Sequence, residues 1–140
     1  MPAHVTVLYP FVAPQAIDAG VLAQLSEAVT AVPAFGAEWR ATGWFGTDVL
    51  WLAPEPERTF RELTKRVWSA FPECPPYEGE HDDVVPHLTI ARGVPIDDLR
   101  AAEREVLAKL PIRMDVGSVH VMVGTDAPNS WHAIAEQSLG

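Results

Sequence analysis

An ordered series of short motifs occurs twice in this chain, and this repetition constrains the fold more than any other feature. Each half contains His-x-Thr, a turn with proline, Ile-Asp, an apolar stretch ending at proline, a second apolar stretch, Gly-Thr-Asp and a tryptophan. The matching positions, one from each half, are His4 and His87, Thr6 and Thr89, Asp18 and Asp97, Pro33 and Pro111, Thr47 and Thr125, and Trp51 and Trp131. Common turn residues explain single matches, whereas a whole series in the same order indicates an internal duplication of a strand, helix, strand, strand unit.

The length of 140 residues fits a single domain of the α+β class, and 48% hydrophobic residues is typical of a globular chain. We divide the domain into two lobes, approximately residues 1–54 and 86–140, joined by a connecting helix and loop at 55–85. Duplicated units tend to pack about a pseudo-twofold axis. We therefore expect His4 and His87 to line one shared cleft.

Apolar periodicity and the positions of proline and glycine predict the individual elements. In the first half we expect a strand at 5–9, a helix at 16–32, and a β-hairpin of 35–45 and 49–52 around a turn at 46–48. Between the halves we expect a helix at 60–71 and a proline-rich loop at 72–86. In the second half we expect a strand at 87–91, a helix at 96–110 and closing strands at 112–123 and 131–135.

Side-chain alternation along a strand assigns the polar residues of each motif to one face. His87 and Thr89 point the same way, while the apolar residues between and after them point into the core. Strict alternation puts Arg92 on the core side, away from the histidine, unless a bulge or the strand end intervenes. The same rule sets Tyr9 opposite His4. We keep Arg92 and Tyr9 as candidates for the rim of a substrate site.

The charge balance limits the partners of this protein. With 10 Lys and Arg against 19 Asp and Glu, the formal charge is −9, which repels a long duplex nucleic acid. A nucleic-acid partner is then a small nucleotide or a chain end. The single cysteine, Cys74, cannot form an intrachain disulfide, and neither a signal peptide nor a membrane-spanning run is found. We expect a cytoplasmic protein without a membrane partner, either a monomer or a homodimer.

Two further groups of residues need an interpretation. His81, Asp82 and Asp83, with His120 or His132, could suggest a metal site, but adjacent residues rarely converge on one ion and no recognised ligand spacing is present. A solvated acidic loop is the better interpretation, so we expect no metal and no other cofactor.

Aromatic residues of the hairpins could provide a platform for a nucleobase. The candidates, which lie on the hairpin strands expected to flank the motifs, are Trp44, Phe45, Trp51 and Trp131. Packing between sheet and helix is the alternative for each of them, because tryptophan fills large spaces in a small core.

The paired motifs carry a resemblance to a known family. His4 and Thr6, and His87 and Thr89, lie in apolar frames, and the second motif continues as Leu-Thr-Ile-Ala-Arg after Pro86. The chain resembles the two-histidine (2H) phosphoesterase superfamily and, within it, the bacterial 2′-5′ RNA ligase-like (LigT-like) proteins. The resemblance implies a bilobal fold of two pseudo-symmetric antiparallel sheets in a V, with helices on the outside.

The resemblance also implies metal-independent chemistry on 2′,3′-cyclic phosphates or 2′-5′ linkages of nucleotides and RNA ends. Family members usually carry a strand and a helix before the first motif, whereas only three residues precede His4 here. We therefore expect either a smaller first lobe or a sequence that begins late relative to a longer ancestral form.

The four motif residues suit the chemistry of phosphodiester hydrolysis. Histidine serves as acid or base near neutral pH because its ordinary pKa is about 6.5. We expect one of His4 and His87 to be the base and the other the acid, with Thr6 and Thr89 donating hydrogen bonds to phosphate oxygens. The residues do not say which histidine has which role. A non-catalytic module that binds nucleotides or RNA ends with the same fold is the alternative.

Overall fold

The computed structural model describes residues 1–81 and 83–140 and shows an α+β protein. In chain order its helices and strands are α1 (Ala19–Thr30), β1 (Phe35–Phe45), β2 (Val49–Glu55), α2 (Glu57–Ala70), β3 (Leu88–Arg92), α3 (Ile96–Leu107), β4 (Ile112–Val116), β5 (Ser118–Val123) and β6 (His132–Ser138). Single 3₁₀ turns occupy Pro14–Ala16 and Pro76–Gly79. The three predicted helices and the β1–β2 hairpin are confirmed.

Helix boundaries follow the capping and proline signals in the sequence. Asp18 caps α1 by accepting a hydrogen bond from the backbone N–H of Val21 at 2.9 Å. Pro56 precedes the first residue of α2, where a missing N–H costs nothing. The apolar residues of α2 recur at helical spacing, so one face of this helix is buried while the other carries charge.

The strands form two antiparallel sheets of unequal size. The larger sheet has the order β3-β2-β1-β4, and the smaller consists of β5 and β6. The strand predicted at 112–123 is divided at Gly117, so β4 pairs with β1 of the first half while β5 pairs with β6. Gly117 has no side chain to pack, which allows the chain to change sheets there.

The strand predicted at 5–9 is wrong except at its first residue. Val5 makes an isolated antiparallel bridge with Leu88, and the chain beyond it is irregular. The hydroxyl of Thr64 on α2 donates to the carbonyl of Val7 at 2.6 Å. This carbonyl would otherwise accept a hydrogen bond from a neighbouring strand. Pro10, which has no N–H, then ends any ladder.

Two apolar clusters anchor these elements. One lies between α1, α2 and the β5–β6 sheet, and its buried members are Leu25, Val29, Val32, Leu63, Val67, Phe71, Val121 and Leu139. The other lies against the larger sheet, and its buried members are Ala37, Trp39, Leu52 and Phe60. Val5 and Leu88 both pack against the second cluster. The apolar residues of both motifs are therefore turned toward the core.

Over residues 1–81 and 83–140, no helix combines the length and the hydropathy needed to cross a bilayer. The division of the chain into lobes at 1–54 and 86–140 stays a prediction.

Candidate functional site

The Val5–Leu88 bridge brings the two motifs side by side. In an antiparallel pair, the residues on either side of a bridge continue in opposite directions. His4 and Thr6 flank Val5 in the sequence, and His87 and Thr89 flank Leu88. Since Leu88 packs against the core, alternation along β3 turns Thr89 to the other face.

Both imidazoles have the same hydrogen-bond arrangement. Nδ1 of His4 lies 2.9 Å from the carbonyl oxygen of Pro2, and Nδ1 of His87 lies 2.7 Å from that of Val85. A carbonyl oxygen only accepts, so Nδ1 carries the proton and donates it. In the neutral ring this leaves Nε2 without a proton and therefore able to accept one.

A β-bulge in β3 changes the face on which Arg92 lies. Trp51 pairs with Thr89, whereas Leu50 pairs with Ala91, so Ile90 is an extra residue on β3. After this bulge Arg92 pairs with Val49, which shares a face of β2 with Trp51.

The placement of Arg92 on the core side by strict alternation is therefore wrong. Arg92 lies on the same face of the sheet as Thr89, because residues opposite each other in an antiparallel pair share a face. A single extra residue in β3 brings an exposed guanidinium to the histidine face.

Two aromatic rings enclose the imidazole of His87. The ring of Phe45 meets it edge to face with centroids 4.9 Å apart, and the ring of Trp51 lies 6.1 Å away. Trp51 in turn lies over Gly43, where an added Cβ would clash with the indole. Packing against these rings fixes the orientation of His87, which is half-buried.

Phe45 and Trp51 were considered from the sequence for a nucleobase platform or for core packing, and both lie beside the imidazole of His87. Alternation from the buried Leu50 and Leu52 would have placed Trp51 on the opposite face of β2. This alternation can be read from the sequence. It places Trp51 on the face of His87 only when Thr89 is known to pair with Trp51.

The second half has a related aromatic group. Trp131 lies over Gly124, where an added Cβ would come within 2.5 Å of the indole. The ring of Tyr9 lies 6.2 Å from Trp131 and 6.2 Å from Tyr77. Tyr9 and Trp131, both predicted from the sequence, are therefore brought together, and Tyr77 was not predicted.

The comparisons with known proteins agree with this geometry. The family model described as the 2′-5′ RNA ligase superfamily matches residues 1–128. The chain belongs to this superfamily. The two-histidine resemblance and the LigT-like fold are thereby confirmed, and membership supports a function of the phosphoesterase type.

A solved structure shows the same fold as this superfamily member. TT0787 of Thermus thermophilus superposes with a TM-score of 0.68 and 19% sequence identity, over 97% of this chain and 77% of TT0787. At this identity the similarity shows the fold alone. The search of curated proteins gave no match.

Trp44 lies on the opposite face of the larger sheet from Trp51. Its indole N–H donates to the carboxylate of Glu103 on α3 at 2.8 Å, and the hydroxyl of Thr42 donates to the same oxygen at 2.8 Å. Trp44 is therefore on the face of the sheet that α3 covers. Its partner across β2 is the buried Leu50, which also places it away from Trp51.

The residues considered for a metal site lie on separate elements. Asp83 pairs with Arg61 of α2 at 2.7 Å, and His81 packs against Tyr77 with ring centroids 5.5 Å apart. His120 and His132 belong to β5 and β6. Asp82 lies outside the described residues. In the rest of the chain, no group of three His, Cys, Asp or Glu side chains is placed to hold a metal ion.

Cys74 does not have the surroundings of a reactive thiol. Burial raises the pKa of the Cys74 thiol, and the negative charge of Glu73 raises it further. A thiol with a raised pKa carries little thiolate at neutral pH and is a poor nucleophile.

Proposed function

We propose that this protein is a metal-independent phosphoesterase that hydrolyses 2′,3′-cyclic phosphates or 2′-5′ linkages of nucleotides or RNA ends. Membership of the 2′-5′ RNA ligase superfamily supports phosphoester chemistry in general. The observation that supports the specific proposal is the Val5–Leu88 bridge, because it brings the central residues of the two His-x-Thr motifs next to each other on adjacent chain segments.

Hydrolysis needs two proton transfers on opposite sides of phosphorus. Water attacks the phosphorus atom while the bond to a ribose oxygen breaks. One imidazole takes the proton of the water through Nε2, and the other, protonated, gives its Nε2 proton to the departing oxygen. The product is a phosphomonoester with a free ribose hydroxyl. His4 and His87 exchange protonation states in this step and are reset by solvent.

The remaining polar groups on this face stabilise charge. The hydroxyls of Thr6 and Thr89 donate to the non-bridging phosphate oxygens, on which charge increases in the transition state. Arg92 adds a positive charge on the same side of β3 as Thr89. A local cation of this kind matters in a protein with a formal charge of −9, because the average field repels phosphate.

Hydrolysis is favoured over ligation for two reasons. Water is always available as the attacking group. Ligation requires a second RNA end to be bound as well, which is costly for a protein of net charge −9.

A non-catalytic module that binds nucleotides or RNA ends is the second candidate. The observation in its favour is the exposure of His4, whose segment pairs with the sheet at Val5. A weakly held catalytic histidine would bind phosphate without efficient turnover.

The deciding experiment is hydrolysis of a nucleoside 2′,3′-cyclic phosphate in the presence of EDTA. We expect activity in the wild type and a loss of roughly 10²–10⁴-fold in His4→Ala and in His87→Ala. The control is His120→Ala, which removes an exposed histidine on β5. Retained hydrolysis in both site variants would contradict the assignment of the histidines. Saturable nucleotide binding without turnover would favour the binding module, and loss of activity with EDTA would contradict the metal-independent mechanism.

A further inference from the structure

The larger sheet has an open edge at β4. Its order β3-β2-β1-β4 makes β3 and β4 the outer strands. The segment of the first motif bridges to β3 at Val5–Leu88, whereas within residues 1–81 and 83–140 no strand pairs with the outer side of β4. Every residue of β4 except Val116 is exposed. The backbone N–H and C=O groups along such an edge are available to a further strand.

The core face of β4 reaches this edge with apolar side chains in solvent. Met114 pairs with the buried Ala37 of β1, so it lies on the core face of the sheet. Ile112 and Val116 share that face by alternation. Met114 is nevertheless 56% exposed and Ile112 is 38% exposed. A neighbouring strand would cover apolar surface that β1 alone leaves open.

The outer face of β4 carries one charge of each sign, Arg113 and Asp115. Nε of Arg113 donates to Glu38 of β1 at 2.6 Å, and the Arg113 side chain is 71% exposed. A guanidinium has five N–H donors. Arg113 can therefore bind a second carboxylate while it keeps Glu38.

The sequence of β4 is self-complementary in an antiparallel pair. From Ile112 to Val116 it reads apolar, basic, apolar, acidic, apolar. When a second copy of β4 is placed about a twofold axis at Met114, Arg113 lies opposite the partner's Asp115, and the reverse pair forms as well. The apolar residues lie opposite one another in the same ladder. Opposite charges and apolar pairs at directly facing positions both stabilise a sheet.

Other registers of the same two strands do not have this property. Facing residues must share a face of the sheet, so the twofold axis passes through a residue. An axis at Arg113 sets two guanidinium groups opposite each other, and an axis at Asp115 sets two carboxylates opposite each other. Pro111, which has no N–H, and Gly117, where the chain changes sheets, limit the ladder at its ends. The charge pattern therefore specifies one register.

We propose that β4 is the contact surface between two copies of this protein, which pair antiparallel about Met114 and join their larger sheets. A five-residue ladder is a small interface, below the roughly 1,200 Å² of a standard complex, and each copy has a formal charge of −9. The dimer is therefore in equilibrium with the monomer rather than permanent. Twofold pairing uses this edge in both copies, so assembly stops at two.

The first test is sedimentation velocity of the full chain at protein concentrations from about 1 to about 100 µM. We expect the wild type to shift from monomer to dimer over this range. Arg113→Glu and Asp115→Arg each set like charges opposite each other at both pairs, so the dissociation constant should rise at least roughly tenfold. A wild type that stays monomeric, or that assembles beyond a dimer, would overturn the proposal.

A mixture of the two charge variants tests the register. Arg113→Glu has two carboxylates on the outer face of β4, and Asp115→Arg has two guanidinium groups there. One copy of each restores two pairs of opposite charge. We expect an equimolar mixture to dimerise although neither variant does so alone. A mixture that stays monomeric would overturn the proposal.

The control for these charge changes is Arg66→Glu on α2. It makes the same change in net charge as Arg113→Glu, and it breaks an ion pair with Glu62 as Arg113→Glu breaks the one with Glu38. We expect Arg66→Glu to dimerise like the wild type. Equal weakening in both variants would assign the effect to net charge and overturn the proposal.

A matched pair of variants tests the apolar contact. Met114→Lys sets two ammonium groups opposite each other at the axis and should leave the protein monomeric. Ile134→Lys makes the corresponding change on β6 of the smaller sheet, at a residue that is 46% exposed, and should not change association. Both side chains are exposed, so circular dichroism should show an intact fold. Dissociation by Ile134→Lys instead of Met114→Lys would assign the contact to the smaller sheet and overturn the proposal.

Discussion

The two histidine motifs share a sequence pattern and a hydrogen bond but not their surroundings. His87 directly precedes β3, is half-buried and contacts the rings of Phe45 and Trp51. His4 is exposed, and its segment is joined to the sheet at Val5. Each imidazole nonetheless donates from Nδ1 to the carbonyl two residues before it. The two motifs thus share the hydrogen bond at Nδ1, while the second imidazole is in addition packed against two aromatic rings.

The tryptophans of the two halves show the same contrast. Trp51 over Gly43 and Trp131 over Gly124 repeat one close approach of an indole to a glycine. The first indole lies beside a histidine and the second beside Tyr9. The same approach of an indole to a glycine therefore lies beside an imidazole in one half and beside a tyrosine ring in the other.

The largest expected effects concern the threonines, which test whether the two motifs contribute equally. Thr6→Val and Thr89→Val each remove a hydroxyl with little change in shape. We expect each to lower kcat by roughly 10²-fold, the effect of losing one donor to transition-state charge. Steady-state hydrolysis of a nucleoside 2′,3′-cyclic phosphate measures this.

Thr6→Ser and Thr89→Ser are the matched controls, because they retain the hydroxyl and should recover most of the activity. Thr47→Val changes an exposed threonine in the β1–β2 turn and should have no effect. A loss confined to Thr89→Val would show that the second motif alone binds the phosphate.

A smaller effect is expected from alanine at the glycines beneath the two indoles. In Gly43→Ala the new Cβ would clash with the ring of Trp51, so the indole must move and His87 loses a neighbour. We expect a destabilisation of about 1–3 kcal/mol from overpacking, measured by urea unfolding, together with a lower kcat.

Gly124→Ala is the matched change in the other half, where the Cβ would meet Trp131 at 2.5 Å. We expect a similar loss of stability, but a rise in KM for the nucleoside substrate rather than a fall in kcat, because Trp131 adjoins Tyr9. If both variants changed kcat alone, the division of roles between the two tryptophans would be wrong.

These differences between the halves explain how far the sequence predicted the structure. Local signals were sufficient for the helices and the hairpin, because a 3.6-residue or two-residue period and a proline or glycine at each end lie within one segment. The positions of His87 and Thr89 followed from the same local alternation. The repeat also predicted that the two motifs would be brought together.

Features that depend on a pairing partner could not be read in the same way. The bulge at Ile90 exists only relative to β2, and without it Arg92 is assigned to the wrong face. The change of sheets at Gly117 depends on the pairing of β4 with the edge of β1. The contact of Tyr77 with Tyr9 was missed because Tyr77 lies in a connector that the repeat does not contain.

The smallest expected effect concerns an ion pair that joins the halves. Glu38 of β1 accepts hydrogen bonds from Arg113 of β4 and from Arg40. The bonds from Arg113 and then Arg40 hold the pKa of the Glu38 carboxyl below its usual range. A carboxyl with a lower pKa in the folded state stabilises the fold above its unfolded pKa of about 4.3, and this contribution disappears as pH falls through the folded value.

Glu38→Gln should therefore be slightly less stable than the wild type at pH 7, with the difference closing under acid conditions and in high salt. Thermal unfolding across a pH series measures it. Glu62→Gln, which breaks an ion pair with Arg66 within α2, is the control for a pair that does not cross between the halves. A difference that persists at low pH would mean that Glu38 stabilises the β1–β4 pairing through packing rather than charge.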